Sequence, residues 1–329
     1  MDENRKGFLQ VCEYLPAGLR LTIKKIPQFM QDSLHEIRLR AEKPVCLFDG
    51  KNSYLLNRDG TVSSENGRAY CISKRELDET FKLLCEYSVH SFQEEIRQGF
   101  ITLRGGHRAG ICGTCLLDQG RVTGVKEISS VNLRIARQMM GVADELYQKL
   151  FLDGLHSVLI VGQAGSGKTT LLRDLIRQLS EGRAGRSYKI SVVDERGELA
   201  AVWRGVSQNQ LGKNTDVYHL YPKHIGMSMA IRTLSPQVIA CDEIGSEDDI
   251  LALLQSMNAG VSVLATVHGS SLEDVNNRGK IASVLSEGVF DFAVILKGTG
   301  CPGEVKEIVR LAENRFGREE RGRRISCWE

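Results

Sequence analysis

The chain has 329 residues, of which 42% are hydrophobic and 26% are charged, and its 43 basic and 41 acidic side chains give a net charge of +2. This length predicts two domains, because a domain usually holds roughly 100–200 residues. The composition can bury a core, which excludes a largely disordered chain, and the near-neutral charge gives no global reason to expect a nucleic-acid partner.

The first residues, MDENRKGFLQVCEYL, are charged, and nowhere does the chain have the run of about 18 apolar residues that a membrane span needs. We therefore expect a cytoplasmic location. The nine scattered cysteines are an odd number and indicate reduced thiols. Cys112 and Cys115 form a C-x-x-C, but no second pair stands at zinc-site spacing, so a metal or redox role is the less favoured interpretation.

The first half of the chain alternates short apolar segments with turn signals. Strands are predicted at 44–48, 54–56 and 100–103, because Asp-Gly or Gly-Gly pairs follow them. One helix is predicted over 73–84, where Ser73 stands three residues before Glu76 in a capping pattern. This half is typical of a small α+β domain.

The pattern changes between residues 138 and 141. A helix is predicted over 142–150, followed by a buried strand at 157–161. Further strands of the parallel-sheet type are predicted at 189–193, 238–241, 261–265 and 292–296. This half predicts a doubly wound nucleotide-binding sheet. The arginine-rich end, 315–324, is interpreted as a solvated terminus, with an anionic membrane surface or partner as the alternative.

A P-loop, G-x-x-x-x-G-K-[ST], follows the strand at 157–161 and precedes a helical segment. Its backbone N–H groups are expected to bind nucleotide phosphates, Lys168 to reach the β- and γ-phosphates, and Thr169 to ligate Mg²⁺. The residues predicted to bind the nucleotide are Gly162, Gln163, Ala164, Gly165, Ser166, Gly167, Lys168, Thr169 and Thr170.

Two carboxylates, Asp242 and Glu243, end the strand at 238–241. The carboxyl ends of parallel strands are where open α/β sheets bind ligands. We expect Asp242 to hold Mg²⁺ through its hydration shell and Glu243 to orient and deprotonate the attacking water. The alternative is a pair of surface acids at a strand end.

Polar side chains end two more strands. Asp194-Glu195-Arg196-Gly197-Glu198 follows the strand at 189–193, and its acids either orient water or Mg²⁺ or balance local charge. Thr266-Val-His268 ends the strand at 261–265, where His268 is a γ-phosphate sensor or a structural histidine.

These four motifs, the P-loop, DERGE, CDE and ATVHG, occur in the order that resembles the ATPases of type II and type IV secretion and type IV pilus assembly. Three segments resemble the sporulation branch of that family: EIRLRAEKPV at 36–45, ITLRGGHRAGICG at 101–113 and VKEISSVNLRIAR at 125–137. The resemblance covers nearly the whole chain.

The resemblance implies roles for single residues. The family's Asp box falls on Asp194, Glu195 and Glu198, its Walker B glutamate on Glu243 and its His-box histidine on His268. Arg232, in AIRTLSP, matches the arginine of the family's LR-x-x-PD stretch. The chain departs from the family pattern at Asp242, where glycine is usual, at Gly245-Ser246, where Arg-Asp is usual, and in an Asp box that lacks proline.

The resemblance also implies an α/β fold: a RecA-like P-loop NTPase domain at 141–314, preceded by a smaller N-terminal α+β domain at 1–140 and followed by a basic tail at 315–329. It further implies an ATPase that uses ATP and Mg²⁺ and assembles as a homo-hexamer. The hexamer would work with a membrane-embedded platform protein of a sporulation channel, at the inner face of a membrane on the mother-cell side.

The first domain offers arginines for the transition state, since P-loop enzymes commonly receive one from outside the nucleotide domain. Arg108 follows two glycines, and Arg134 and Arg137 lie next to the predicted boundary; the alternative is that they only pair with surface acids. Two other functions stay open. One is a nucleotide-gated scaffold with vestigial hydrolysis, and the other is a nucleic-acid-dependent ATPase, although no specific nucleic acid is expected.

Overall fold

The computed structural model describes residues 3–64, 68–182, 185–277, 279–311 and 324–325. Most of the predicted basic tail lies outside these residues. The chain forms two compact units: Met1–Arg137 with Ala201–Gln208, and Gln138–Ala200 with Asn209–Glu329.

The first unit contains short helices and a mainly antiparallel arrangement of strands. Its helices are α1 (Glu3–Cys12), α2 (Ala17–Ile23), α3 (Gln28–Ser33), α4 (Lys74–Leu84) and α5 (Gln93–Arg97), with a 3₁₀ turn at Val89–Phe92. Its strands in this stretch are β1 (Glu36–Arg40), β2 (Lys43–Pro44), β3 (Cys46–Phe48), β4 (Ser53–Leu56), β5 (Val62–Ser63), β6 (Cys71–Ile72), β7 (Phe100–Thr102), β8 (Arg108–Asp118) and β9 (Arg121–Arg134).

Seven of these strands form one sheet in the order β5-β4-β3-β1-β9-β8-β7, in which every neighbouring pair is antiparallel. Alternating residues of β1 and β9 point into the core: Ile37 lies opposite Leu133, and Leu39 lies opposite Val131. The predicted capping of α4 is confirmed, since Ser73 and Glu76 form a reciprocal capping box.

The chain from Gln138 onward supplies the remaining elements. The helices are α6 (Asp144–Leu150), α7 (Lys168–Glu181), α8 (Lys223–Thr233), α9 (Glu247–Asn258), α10 (Leu272–Asn276) and α11 (Gly279–Ser286). The strands are β10 (Val158–Gly162), β11 (Ile190–Asp194), β12 (Val202–Trp203), β13 (Val206–Ser207), β14 (Thr215–His219), β15 (Val238–Cys241), β16 (Ser262–His268), β17 (Phe292–Leu296), β18 (Val305–Arg310) and β19 (Arg324–Ile325).

The second unit is built on an eight-stranded sheet in the order β14-β11-β15-β16-β10-β17-β18-β19. The pairs from β14 to β17 are parallel. β18 pairs antiparallel with β17, and β19 pairs antiparallel with β18. Every residue of β10, β11, β15 and β17 is buried, as expected for parallel strands covered on both faces. The predicted doubly wound sheet is therefore present.

The structure contains elements that the sequence did not predict, among them α1, α2, α3 and α5 and the long hairpin β8–β9. Two further details also differ from the sequence-based expectation. Strand β16 runs to His268, beyond the predicted end at residue 265, because Thr266 and His268 pair in register with Ile160 and Gly162 of β10. The hairpin β12–β13 belongs to the first unit, although it follows the acidic segment after β11.

Candidate functional site

The P-loop connects β10 to α7 and holds all the residues predicted to bind a nucleotide. Gly165 and Gly167 have φ values of 76° and 89°, in the left-handed region that favours glycine. Gly167 is the N-cap of α7, so Lys168, Thr169 and Thr170 form the first helical turn. The backbone N–H groups of this loop and helix terminus suit an anion.

Two side chains of the P-loop, Lys168 and Ser166, place polar groups within the loop. Lys168 Nζ donates to the Gln163 carbonyl oxygen at 3.0 Å. Partial burial lowers the pKa of Lys168, while the nearby charges of Asp242 and Glu243 act in the opposite direction. Ser166 Oγ is buried, and among the described residues it has no hydrogen-bond partner. A buried hydroxyl in that condition is suited to a ligand or water.

Asp242 lies at the end of β15 with both carboxylate oxygens engaged. Its Oδ2 accepts a hydrogen bond of 2.6 Å from Thr169 Oγ1, on the first turn of α7. Its Oδ1 accepts from Thr266 Oγ1 of β16. The tertiary fold thus brings the predicted pair Thr169 and Asp242 together.

Thr266 is a residue whose role sequence reasoning missed. Its side chain is fully buried, and besides donating to Asp242 it accepts the Glu243 N–H at 2.8 Å. The available signal was a hydroxyl at the end of a strand next to the Asp242 strand, but the sequence does not specify strand order.

Glu243 follows Asp242 with a φ of 55°, which is uncommon for a residue other than glycine. Its carboxylate is paired with Arg196 of the acidic segment. Glu243 was predicted to lie beside the attacking water, and Arg196 was considered only as a charge that the acids of its own segment would balance. The observed ion pair instead joins the loops after β11 and β15.

The acidic segment 194–198 contains a carboxylate, Asp194, that stabilises the segment's own loop. Asp194 is buried, and its carboxylate accepts the backbone N–H groups of Glu198, Leu199 and Ala200 at 2.8, 3.0 and 2.8 Å. Arg173 of α7 donates to the Glu198 carbonyl oxygen at 2.7 Å. For Asp194, the structure favours an organising role in the loop.

Glu195 forms an ion pair with Lys223, which is 8% exposed and lies at the start of α8. Asp249 at the start of α9 is 4.0 Å from the same ammonium. Burial acts to lower the pKa of Lys223, but the pairing with Glu195 and the charge of Asp249 outweigh it and raise the pKa. This contact favours the charge-balance interpretation for Glu195.

His268 and Arg232 lie at different edges of the sheet. His268 is exposed and stands opposite Gly162 in the β10–β16 register, beside the start of the P-loop. Arg232 is exposed in the last turn of α8, where its Nε donates to the Ser228 carbonyl oxygen at 3.3 Å. Because α8 leads into the amino end of β15, Arg232 lies at the edge opposite the P-loop of its own chain.

Arg108 and Arg134 lie in the first unit, directly opposite each other in the β8–β9 register. The Arg108 guanidinium is 4.1 Å from the centroid of the Phe100 ring, and Arg134 Nε is 3.6 Å from Glu36 Oε1. Arg137 donates to the carbonyl oxygens of Asp32 and Leu34 at 2.7 and 3.2 Å, so it contacts the end of α3.

The residues around the P-loop fit a magnesium nucleotide. Thr169 and Asp242 offer a hydroxyl and a carboxylate in contact, and Mg²⁺ in nucleotide sites usually takes one or two protein oxygens, phosphate oxygens and water. The described residues contain no group of three or more His, Cys, Asp or Glu side chains that would hold a metal without such a ligand. Cys112 and Cys115 are exposed free thiols on β8.

No helix among the described residues is both long and apolar enough to cross a membrane.

In a comparison of solved structures, the ATPase DotB of Legionella pneumophila superposes with a TM-score of 0.52 at 17% identity, over 82% of this chain and 76% of that one. The pilus retraction motor PilT, solved with bound ADP, superposes with a TM-score of 0.51 at 16% identity, over 80% and 74%. These likenesses confirm the predicted RecA-like fold.

The sequence comparisons identify the family. The chain is 37% identical over 300 residues to stage III sporulation protein AA of Bacillus subtilis (strain 168), covering 91% of this chain and 94% of that protein. The model of the family described as "Sporulation stage III, protein AA" matches residues 4–316. The chain therefore belongs to the sporulation stage III protein AA family.

Proposed function

We propose that this protein hydrolyses ATP with Mg²⁺ and works as a homo-hexameric motor. Its work would be assembly of, or transport through, a channel between mother cell and forespore. The motor would sit at the inner face of a membrane on the mother-cell side and act with a membrane-embedded platform protein. Support comes from the family and from the shared fold of DotB and PilT, whose names describe an ATPase and a retraction motor.

One observation carries the enzymatic part of this proposal: Asp242 is held between Thr169 on the P-loop helix and Thr266 on β16. This arrangement fixes a carboxylate beside the P-loop and places Glu243 one residue further along the same loop. Thr169 and Asp242 would hold Mg²⁺, which when bound neutralises charge on the phosphates. Lys168 would bind the β- and γ-phosphates.

In this mechanism Glu243 orients the attacking water and takes its proton. Its carboxylate is engaged by Arg196. Turnover therefore requires that Arg196 exchange Glu243 for another anionic partner, such as a phosphate oxygen. His268, which stands opposite Gly162 in the β10–β16 register, would contact the γ-phosphate.

The experiment compares ATP binding and phosphate release for three full-length variants. Lys168→Ala should weaken ATP binding, because it removes the positive charge that contacts the nucleotide phosphates. Glu243→Gln should bind ATP as the wild type does and lose turnover by about 100-fold or more. Glu273→Gln removes an exposed carboxylate of α10 and should behave as the wild type. Full turnover in Glu243→Gln would exclude that residue as the base.

A second candidate function is a nucleotide-gated scaffold without effective hydrolysis, and the Arg196–Glu243 pair favours it. If that pair persists when nucleotide is bound, water has no free base. The two candidate functions differ in phosphate release. A scaffold would change its oligomeric size with a non-hydrolysable ATP analogue yet release no phosphate above the Glu243→Gln background.

A further inference from the structure

The first unit contains a cavity of about 420 Å³, formed by the end of α4, the segment around α5, the end of β7 and strand β12. Phe92 and Trp203 supply half-buried aromatic walls, while Cys85 and Thr102 are nine-tenths or more buried. Burial raises the pKa of the Cys85 thiol to about 12, and the charge of Glu95 acts in the same direction. The thiol therefore adds no charge, and most of the wall is apolar or aromatic.

The charged side chains that line the cavity are two carboxylates and one guanidinium, those of Glu86, Glu95 and Arg204. Arg204 pairs with Glu86, and its guanidinium is 5.0 Å from the centroid of the Trp203 ring. In the part of the chain that the structure describes, Glu95 has no ion-pair partner. Burial raises the pKa of Glu95, and the charge of Glu94 acts in the same direction. The lining therefore has one carboxylate more than it has cations.

This combination of rings and a spare carboxylate suits a basic side chain. The aliphatic stem of arginine or lysine packs on apolar surface, and its charged end is attracted both to ring faces and to carboxylates. Arg204 already makes both contacts in this lining, with Trp203 and with Glu86. A second cation would compensate the partly buried charge of Glu95, which is costly without a partner.

The cavity also lies at an outer edge of the seven-stranded sheet. Strand β7 is the last strand of that sheet, and among the described residues it pairs only with β8. Gly99 and Leu103 form their backbone hydrogen bonds on the β8 side. In an antiparallel pair the alternate residues, here Phe100 and Thr102, direct their N–H and C=O groups to the other side. Because Thr102 lines the cavity, an extended peptide could pair with β7 there.

We propose that this cavity binds a basic side chain on an extended segment of a partner protein, and that the segment pairs with the outer edge of β7. Glu95 pairs with the cation, Trp203 and Phe92 pack against the side chain, and Thr102 offers its backbone groups to the segment. The site belongs to the first unit. The proposal does not require that the P-loop bind a nucleotide.

The test measures the fluorescence of Trp203 in the full-length Trp328→Phe protein, since Trp203 lines the cavity and is then the only tryptophan. The probe is the peptide acetyl-Gly-Ser-Val-Arg-Val-Ser-Gly-amide. Two comparison ligands are the same peptide with glutamine in place of arginine, and spermidine, which is cationic but has no peptide backbone. We expect a saturable change with the arginine peptide and binding weaker by about tenfold or more for both comparison ligands.

Three substitutions in this background test the roles of the charges. Glu95→Gln should weaken binding of the arginine peptide by about tenfold or more, because it removes the carboxylate that accepts the cation. Glu94→Gln is the matched control, since Glu94 pairs with Arg97 and does not line the cavity, and it should bind as the parent does. Arg204→Gln removes the competing cation and leaves Glu86 available, so binding should tighten by about threefold or more.

Thermal melts establish that each variant is folded, and Arg204→Gln tests the proposal if Glu95→Gln does not fold. The proposal is overturned if the arginine peptide gives no saturable change or binds no better than the glutamine peptide. Unchanged binding in folded Glu95→Gln, or unchanged or weaker binding in folded Arg204→Gln, would also contradict it. Spermidine binding as tight as that of the peptide would indicate a polyamine site and exclude recognition of an extended segment.

Discussion

At the scale of single residues, the candidate site depends on one hydroxyl group. Thr266 Oγ1 donates to Asp242 and accepts the N–H of Glu243, so it fixes both acids that end β15. Thr266 does not itself face water, because its side chain is fully buried. It is a positioning residue, and its effect on chemistry is indirect.

Replacing Thr266 with valine should therefore lower turnover more than it lowers ATP binding. The change preserves shape but leaves the Glu243 N–H and one Asp242 oxygen without their partner, at no more than about 1–3 kcal/mol for each of these partly buried groups. We expect a loss of about tenfold or more in kcat. Thr266→Ser keeps the hydroxyl and should retain activity; equal kcat in valine and serine variants would contradict the assignment.

His107 is a buried histidine of the first unit, and its burial makes the stability of that unit depend on pH. Its Nδ1 accepts the Ala136 N–H at 2.9 Å, and its Nε2 is 3.1 Å from Gln10 Oε1. Burial lowers its pKa from 6.5 to about 4. Its neutral form is thus favoured on folding, and the associated stability is present above the unfolded pKa and lost as pH falls towards the folded pKa.

We predict that the free energy of unfolding of the first unit falls by about 2 kcal/mol from about pH 7.5 to about pH 5 through His107 alone. Trp203 belongs to this unit, so its fluorescence in a Trp328→Phe background reports denaturant unfolding there. His107→Gln should remove this part of the pH dependence. An identical slope in both proteins would show that other groups are responsible.

At the scale of elements, the P-loop and the β17–β18 turn act as one structural unit. Gly167 has a left-handed φ of 89°, and the Gly303 backbone occupies the space where a side chain would lie. The sequence motif explains glycine at position 167 by the close approach of a phosphate. The β17–β18 turn is a second reason, because its backbone leaves no space for a side chain there.

Gly167→Ala should therefore weaken ATP binding by about tenfold or more, since the left-handed conformation alone costs roughly 1–2 kcal/mol and the turn would also have to move. Gly154→Ala is the matched control, because nothing lies within 4 Å of a Cβ there and its φ is not positive. Equilibrium binding of ATP measures both. Unchanged binding in Gly167→Ala would show that the turn yields easily.

The β12–β13 hairpin belongs to the first unit, although its position in the chain suggests the second. Gln208 Oε1 accepts the Gly105 N–H at 2.8 Å, and Arg204 pairs with Glu86 while its guanidinium is 5.0 Å from the Trp203 ring centroid. These contacts place the hairpin in the first unit. It follows directly on the acidic segment that Asp194 organises, so one short stretch of chain belongs to both units.

At the scale of the whole molecule, the two units would contribute different residues to ATP turnover. The second unit holds the P-loop, Asp242 and Glu243, and the first holds the arginines predicted to reach the nucleotide. Arg108 and Arg134 are neighbours across β8 and β9, so they would be presented together.

We predict that Arg108→Ala or Arg134→Ala lowers ATP turnover by about tenfold or more while ATP binding and the melting temperature stay near wild type. Arg97→Ala is the control, since Arg97 pairs with the exposed Glu94 on α5. Phosphate release under saturating ATP is the measurement. Wild-type turnover in both variants would leave these arginines as surface ion-pair and ring-stacking residues, the alternative left open by the sequence.

The sequence by itself determined the local features of this protein. The P-loop, the buried strands around it and the capping of α4 are written in contiguous residues, because turn geometry, helix caps and strand burial depend on near neighbours. The order of the four motifs indicated the resemblance to secretion ATPases, and the segments at 36–45, 101–113 and 125–137 indicated its sporulation branch. The doubly wound sheet followed from the spacing of the apolar strands.

Only the tertiary structure decided which distant groups meet. Asp242 lies 73 positions from Thr169 and 24 from Thr266 in the chain, and no local pattern specifies that β15, β16 and the P-loop helix converge. The same holds for the pairing of Arg196 with Glu243, the hairpin in the first unit and the cavity that Glu95 and Trp203 line. These contacts depend on strand order and long-range packing, which short-range periodicity does not encode.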